Sequence, residues 1–136
     1  MDYSELSVGM SAEFSKEVTD ADVRSFADIT GDHNPVHLDD AIASRSRFGG
    51  RIAHGMLSAG IVSAAIAGKL PGPGSVYLSQ TMKFTAPVRI GDTITATITV
   101  LELLSRNRVR LATTCRNQSG ETVLDGEAVI LLDSQP

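Results

Sequence analysis

Residues 93–100, TITATITV, alternate apolar Ile94, Ala96, Ile98 and Val100 with Thr93, Thr95, Thr97 and Thr99. A period of two in sheet-favouring residues predicts a strand with one buried and one wetted face. Residues 108–116, RVRLATTCR, repeat it, with Val109, Leu111 and Cys115 on one side and Arg108, Arg110 and Arg116 on the other. ETVLDGEAVILL (121–132) predicts a third strand, SVYLSQTMKFTAPV (75–88) a further one ended by Pro87, and SAEFSKEV (11–18) an edge strand. The pairs GD (91–92), RN (106–107) and SG (119–120) fall where reversals are needed. The second half therefore reads as an antiparallel meander.

The first half changes period. Thr19 is placed to cap a helix over 20–30, with Asp20 and Asp22 in its electropositive first turn and Gly31 as its stop. A second helical segment is predicted over 39–48, DDAIASRSRF. Residues 55–68, GMLSAGIVSAAIAG, carry no charge and have no polar face. This run is shorter than the roughly 20 residues that span a bilayer. It reads instead as a helix buried at the centre of a protein. The expectation is an α+β domain over residues 1–136, its antiparallel sheet wrapped around one long buried helix. Repeats, linkers and low-complexity tracts are absent from the sequence.

Composition sharpens this mainly by exclusion. A chain of 136 residues with 42% hydrophobic and 21% charged residues is built to fold around a core. Its formal charge of −4 argues against nucleic acid or an anionic membrane surface as partner. One cysteine, Cys115, cannot form an internal bridge, and MDYSELSVGM lacks the basic and apolar regions of a secretory signal. A cytoplasmic location is the expectation.

The densest polar chemistry lies in GDHNPVHLDD (31–40), where Asp32 and His37 flank Asn34 and Pro35. A carboxyl and an imidazole, with reference pKa values of about 3.9 and 6.5, supply a proton acceptor and a proton donor near neutrality. Asn34 favours a turn and Pro35 cannot continue a helix, so the segment curves and can aim both side chains at one water. Gly55, opening the apolar helix, offers an unpaired backbone N–H, a favourable dipole and no Cβ to obstruct a carbonyl. Taken singly, these residues have plainer uses. An Asp in a turn is ordinarily a cap, a lone His ordinarily structural, and a Ser inside a helix, such as Ser63, ordinarily bonds its own backbone. His33 reads as a solvent-facing loop residue, His54 as a capping or packing residue with a substrate contact as the alternative, and Asn34 as fixing the loop. A metal site on Asp32, His33 and His37 is not expected, because Pro35 disrupts the helical spacing the two imidazoles would need. PGPG (71–74) lacks the lysine of a phosphate loop and reads as the exit from the apolar helix. Arg45, Arg47 and Arg51 read as a solvated basic face rather than a phosphate site.

FADITGDHNPVHLDDAIAS (26–44), RIAHGMLSAG (51–60) and SVYLSQTMKFTAPVRIGD (75–92), in this order and spacing, resemble the MaoC-like (R)-specific enoyl-CoA hydratases of the hot-dog fold. The short chain resembles the single-domain members that feed polyhydroxyalkanoate synthesis. The resemblance implies hydration of trans-2-enoyl-CoA to (R)-3-hydroxyacyl-CoA in a homodimer with acyl-CoA near its interface, with no cofactor or metal. It implies Asp32 and His37 as the acid–base pair, Gly55 as the ligand of the thioester carbonyl, and Asn34, Ser63, Ile66 and Ile130 among the substrate-binding residues. Branched side chains at Ile66 and Ile130 imply short acyl groups. Two rivals use the same ligand class. A hot-dog thioesterase often carries a carboxylate on or beside its central helix, whereas residues 55–68 contain none. A non-catalytic acyl-thioester-binding module would have no use for an acid and a base placed together.

Overall fold

The computed structural model describes residues 1–133. In chain order the elements are a short 3₁₀ turn (Tyr3–Glu5), β1 (Ser11–Glu17), α1 (Asp20–Thr30), α2 (Pro35–Leu38), α3 (Asp40–Ser44) and α4 (Gly55–Gly68). They are followed by β2 (Ser75–Phe84), β3 (Thr93–Leu104), β4 (Arg108–Arg116) and β5 (Thr122–Leu132). One five-stranded sheet, in the order β1-β3-β4-β5-β2, is antiparallel throughout.

The period-two strands bury the expected face. Ile94, Ala96, Ile98 and Val100 of β3 are buried, as are Val109, Leu111, Thr113 and Cys115 of β4 and Ala128, Ile130 and Leu132 of β5. The sheet curls around Ile61, Val62, Ala65 and Ile66 of α4, and these residues form one core. Burying each Val, Leu or Ile side chain contributes about 1.5–3 kcal/mol, so this layer dominates the stability of the fold. The arrangement is the α+β hot-dog fold.

Local sequence explains the ends of the elements. Thr19 and Asp22 form a reciprocal capping box on α1, and Gly31 ends it in the left-handed region at φ 82°. The reversal between β3 and β4 is made by Arg106 and Asn107, both at positive φ, as a tight turn between twisted strands requires. Gly120 turns the chain between β4 and β5 at φ 80°.

Four expectations change. The GD at 91–92 does form a turn, but it does not join neighbouring strands: β2 pairs with β5 at the far edge, so only β3, β4 and β5 form a meander. The strand predicted to run to Pro87 ends at Phe84. The helix predicted over 39–48 covers only Asp40–Ser44, because the Ser44 and Ser46 hydroxyls bond back to the Ala41 and Ala43 carbonyls and the chain leaves the helix there. Pro35, expected to open a bend, opens the short helix α2 at its first position, where a missing N–H costs nothing.

The helix α4 matches its predicted span but is not surrounded within one chain. Ser58, Ile61, Val62, Ala65 and Ile66 are buried. Gly55, Gly60, Ser63, Ala64, Ala67 and Gly68 face outward, with Met56 51% exposed. Beside this bare apolar face runs the edge strand β2, exposing Val76, Tyr77, Leu78 and Phe84.

Candidate active site

The site is assembled from the loop after α1, the short helix α2 and the first turn of α4. Thr30, the last residue of α1, donates its hydroxyl to the Phe26 carbonyl at 2.7 Å and accepts the Asp32 N–H at 3.2 Å. The Asp32 carboxylate accepts the Asn34 N–H at 3.2 Å, and the Asn34 side chain caps α2 by accepting the Val36 N–H at 3.3 Å. Two successive Asx-type bonds thus shape the turn, leaving the Asp32 side chain exposed and carrying His37 inward on α2.

His37 is 8% exposed. Its Nδ1–H donates to the Ile52 carbonyl at 2.7 Å. A carbonyl only accepts, so the neutral ring carries its proton on Nδ1 and presents Nε2 with a free lone pair. Burial holds the His37 pKa below its usual 6.5; the bond to Ile52 opposes this, the nearby His54 adds to it, and Asp32 opposes it. An imidazole kept neutral near pH 7 with Nε2 open is equipped to take a proton.

His54 lies 2% exposed directly before Gly55. It occupies the N-cap position of α4 but makes no side-chain cap bond. Its Nε2–H instead donates to the Asp32 carbonyl at 3.0 Å, and its ring lies on His37 with centroids 3.8 Å apart. One polar side-chain atom from each of Asp32, His37 and His54 lies within 4.8 Å of the other two. The sequence leaves His54 between a capping or packing role and a substrate contact; its adjacency to Gly55 is the signal of its position at the site.

Such a trio invites a metal reading, but the geometry opposes it. The His37 and His54 rings stack with centroids 3.8 Å apart and planes tilted by only 31°, so their in-plane lone pairs lie in two offset planes and do not meet at one ion.

Gly55 begins α4 at the edge of a pocket of about 530 Å³ that also takes in Arg47, Phe48, Ile52, Ser58 and Phe84. A Cβ on Gly55 would stand 2.8 Å from the Phe84 ring, so glycine lets that ring close over the helix start. A second pocket, of about 550 Å³, holds Asp32 together with Phe26, Gly60, Ser63, Tyr77 and Met82. Met56 lines both, and the first turn of α4 separates them.

The remaining expected site residues part company. Ser63 faces outward into the second pocket. Ile66 and Ile130 are 1% and 0% exposed, packed in the core, and line neither pocket. Positions three apart on a helix differ by about 60° in direction, and here the boundary between core and surface falls between Ser63 and Ile66. Asn34 shapes the turn, and neither pocket includes it. Arg51 is not part of a solvated basic face: its guanidinium bonds the His37 carbonyl at 2.7 Å and Asp20 at 2.6 Å, with its side chain 10% exposed. The bonds from Arg51 and then Arg24 hold the Asp20 carboxyl below the usual carboxylate range. Cys115 is inert, its thiol pushed up to about 12 by burial.

Comparison with known proteins agrees with this architecture. The model of the MaoC like domain matches residues 5–121. A 3-hydroxybutyryl-CoA dehydratase of Methylorubrum extorquens is 50% identical over 129 residues, covering 94% of this chain and 82% of the relative. An (R)-specific enoyl-CoA hydratase of Aeromonas caviae is 40% identical, covering 97% of this chain and 99% of the relative. Among solved structures, an unliganded R-hydratase of Pseudomonas aeruginosa superposes with a TM-score of 0.94 at 51% identity, covering 98% of this chain and 86% of that one. With the domain match spanning β1 to β4, α4 and the Asp32–His37 turn alike, the chain belongs to the MaoC-like family of hot-dog proteins.

Proposed function

We propose that the chain catalyses the reversible, (R)-specific hydration of trans-2-enoyl-CoA thioesters, with Asp32 and His37 as the acid–base pair. One observation carries the reading: a carboxylate and a neutral imidazole converge, their polar atoms within 4.8 Å, beside the N-terminus of a helix that begins with Gly55. Asp32 and Nε2 of His37 each accept a hydrogen from one water, which fixes its remaining lone pair toward C3 of the substrate. As the C3–O bond forms, the pair takes a proton from the water and negative charge moves onto the thioester oxygen. The Gly55 N–H, unpaired within the helix and at the positive end of its dipole, stabilises that oxygen. The pair then returns a proton to C2, so the elements of water are added and none is left over. Every group in this sequence is supplied by the chain, and the proposal includes no metal or organic cofactor.

Short acyl chains suit the second pocket. Ile66 and Ile130 do not line it but pack in the core, where the space between α4 and the sheet is filled by side chains rather than open to a long chain. The relative named for a four-carbon hydroxyacyl-CoA supports the same reading. Hydrolysis of the thioester is less well supported, since α4 offers no carboxylate. No helix is long and apolar enough to cross a membrane among the described residues, which is compatible with the cytoplasmic setting we propose.

The discriminating experiment uses crotonyl-CoA and follows the absorbance of the conjugated enoyl thioester alongside free thiol. The expected result is loss of absorbance without thiol release, giving a product that an (R)-specific dehydrogenase oxidises. Thiol release without hydration would overturn the hydratase reading, and an (S) product would overturn its stereochemistry.

We also propose a homodimer. The bare face of α4 and the exposed apolar side chains of the edge strand β2 lie together, and a second copy applied there covers both. The opposite edge, β1, bears Glu13, Ser15, Lys16 and Glu17 and is poorly suited to the same use. Light scattering at micromolar concentration should give twice the 14.4 kDa chain mass; a 14.4 kDa particle would refute the dimer.

A further inference from the structure

We propose that His54 is the positioning residue of the site: one buried ring sets the plane of His37 and ties the Asp32 turn to the helix start at Gly55. The inference rests on the hydratase reading above and adds a role for a residue that the proposed chemistry leaves unused.

The argument begins with what the other bonds leave undetermined. Nδ1–H of His37 donates to the Ile52 carbonyl, which fixes one edge of the imidazole. A ring held by one edge still pivots about that N–H···O axis, and Nε2 sweeps an arc. The His54 ring lies against the face of His37 at 3.8 Å and removes that freedom. Phe26, 4.7 Å away, packs on His54 in turn, so the stack is supported from α1. An edge bond and a face contact together give Nε2 a single direction.

Asp32 raises the same problem. Its turn is shaped internally by Thr30 and Asn34, both on its own stretch of chain. Those bonds determine the shape of the turn but not its distance from α4. The bond from His54 Nε2–H to the Asp32 carbonyl, across 22 positions of sequence, supplies that distance. His54 is also the residue before Gly55, and its own carbonyl accepts the Leu57 N–H at 3.0 Å in the first turn of α4. Base, carboxylate and carbonyl ligand are therefore referenced to one residue, the first two through its side chain and the third through its backbone. Since Nε2 is the donor, the neutral ring keeps its lone pair on Nδ1, a buried atom with no hydrogen-bond partner among the described residues. Retaining a buried nitrogen unpaired is costly for a residue that only fills space, where a phenyl ring would serve.

Three variants separate the two contacts. His54→Phe keeps the stack and deletes the donor, His54→Gln keeps an amide donor and deletes the ring, and His54→Ala deletes both. With crotonyl-CoA, kcat is expected to fall about tenfold in His54→Phe and His54→Gln and about 100-fold in His54→Ala, with KM moving less than about twofold. Nitrogen-15 NMR of the imidazoles reads the same placement without turnover. His37 is expected to keep its Nδ1–H tautomer throughout, held by the Ile52 carbonyl, with one sharp Nε2 signal in the wild type and an exchange-broadened or shifted one in His54→Ala and His54→Gln. Circular dichroism confirms which variants are folded. If the folded variants keep wild-type kcat and an unchanged His37 Nε2 signal, His54 is packing alone and the inference is overturned. A wild type that fails to hydrate crotonyl-CoA while its His37 signals respond to the variants would instead overturn the proposed reaction and leave the positioning role standing.

Discussion

Asp32→Asn and His37→Ala are each expected to lower kcat for hydration by a factor of about 10² to 10⁴, the range in which positioned acid–base groups act. The carboxamide preserves the shape of Asp32 and still accepts the Asn34 N–H through its oxygen, so the turn survives while the carboxylate is lost. His37→Ala deletes the ring that accepts the water's hydrogen and leaves the Ile52 carbonyl without its donor, at a cost of about 1–3 kcal/mol that a net stability of about 5–15 kcal/mol absorbs. Both variants should therefore be folded by circular dichroism and inactive in the crotonyl-CoA assay. The wild-type pH profile tests the same assignment. Burial holds the His37 pKa below 6.5, so the ring stays neutral in the folded protein at pH values where a free imidazole is already half charged. The acid limb of kcat/KM should have its midpoint below pH 6.5. The sign for stability is the same, because the unfolded chain binds the proton more readily. This contribution is complete above about pH 6.5 and is lost as pH falls through the folded value. Substantial activity in either variant, or an acid limb above pH 6.5 assigned to His37, would move the reaction centre elsewhere.

The parts of this fold that were legible in the sequence are those in which one face meets the core and the other meets water. β3 and β4 alternate residue by residue, and their buried sets are those the alternation specifies. The span of α4 was legible for a different reason: it lacks any charge between His54 and Lys69, and both ends are marked by glycine. What the pattern does not carry is pairing at a distance. Nothing in residues 85–92 distinguishes a hairpin from a crossover, and β2 lies beside β5 because the sheet must close around α4. The site divides in the same way. Asp32, Asn34 and His37 sit in one turn whose local bonds bring them together, so the motif announced them. His54 joins through a bond to a backbone carbonyl, which leaves no trace in side-chain identity. The resemblance places Ser63 and Ile66 together at the substrate, and the core boundary that separates them is set by the sheet rather than by the helix.

Gly126→Ala is expected to be the most damaging single methyl group that can be added to this chain. Gly126 lies within β5, opposite Met82 of β2 and Thr113 of β4, without an unusual backbone angle. The reason for glycine is distance. A Cβ there would stand 1.8 Å from the Thr81 carbonyl oxygen and 2.9 Å from the Met82 Cα. A strand Cβ points off the sheet, so β2 must curl over the face of β5 at this point, close to the bulge between Tyr77 and Ser79. Backbone cannot swing aside as the Phe84 ring can for Gly55; the added methyl has to push β2 away and break ladder hydrogen bonds. Overpacking of this kind costs about 3 kcal/mol or more, which for a domain of this size lowers Tm by about 10 °C. The effect should reach the chemistry, because Tyr77, Gln80 and Met82 on the displaced strand line the pocket that holds Asp32. Thermal unfolding of Gly126→Ala within about 2 °C of the wild type would show that β2 yields without loss and would refute the close approach. A destabilised variant with unchanged kcat would keep the close approach but refute the coupling of β2 to the pocket.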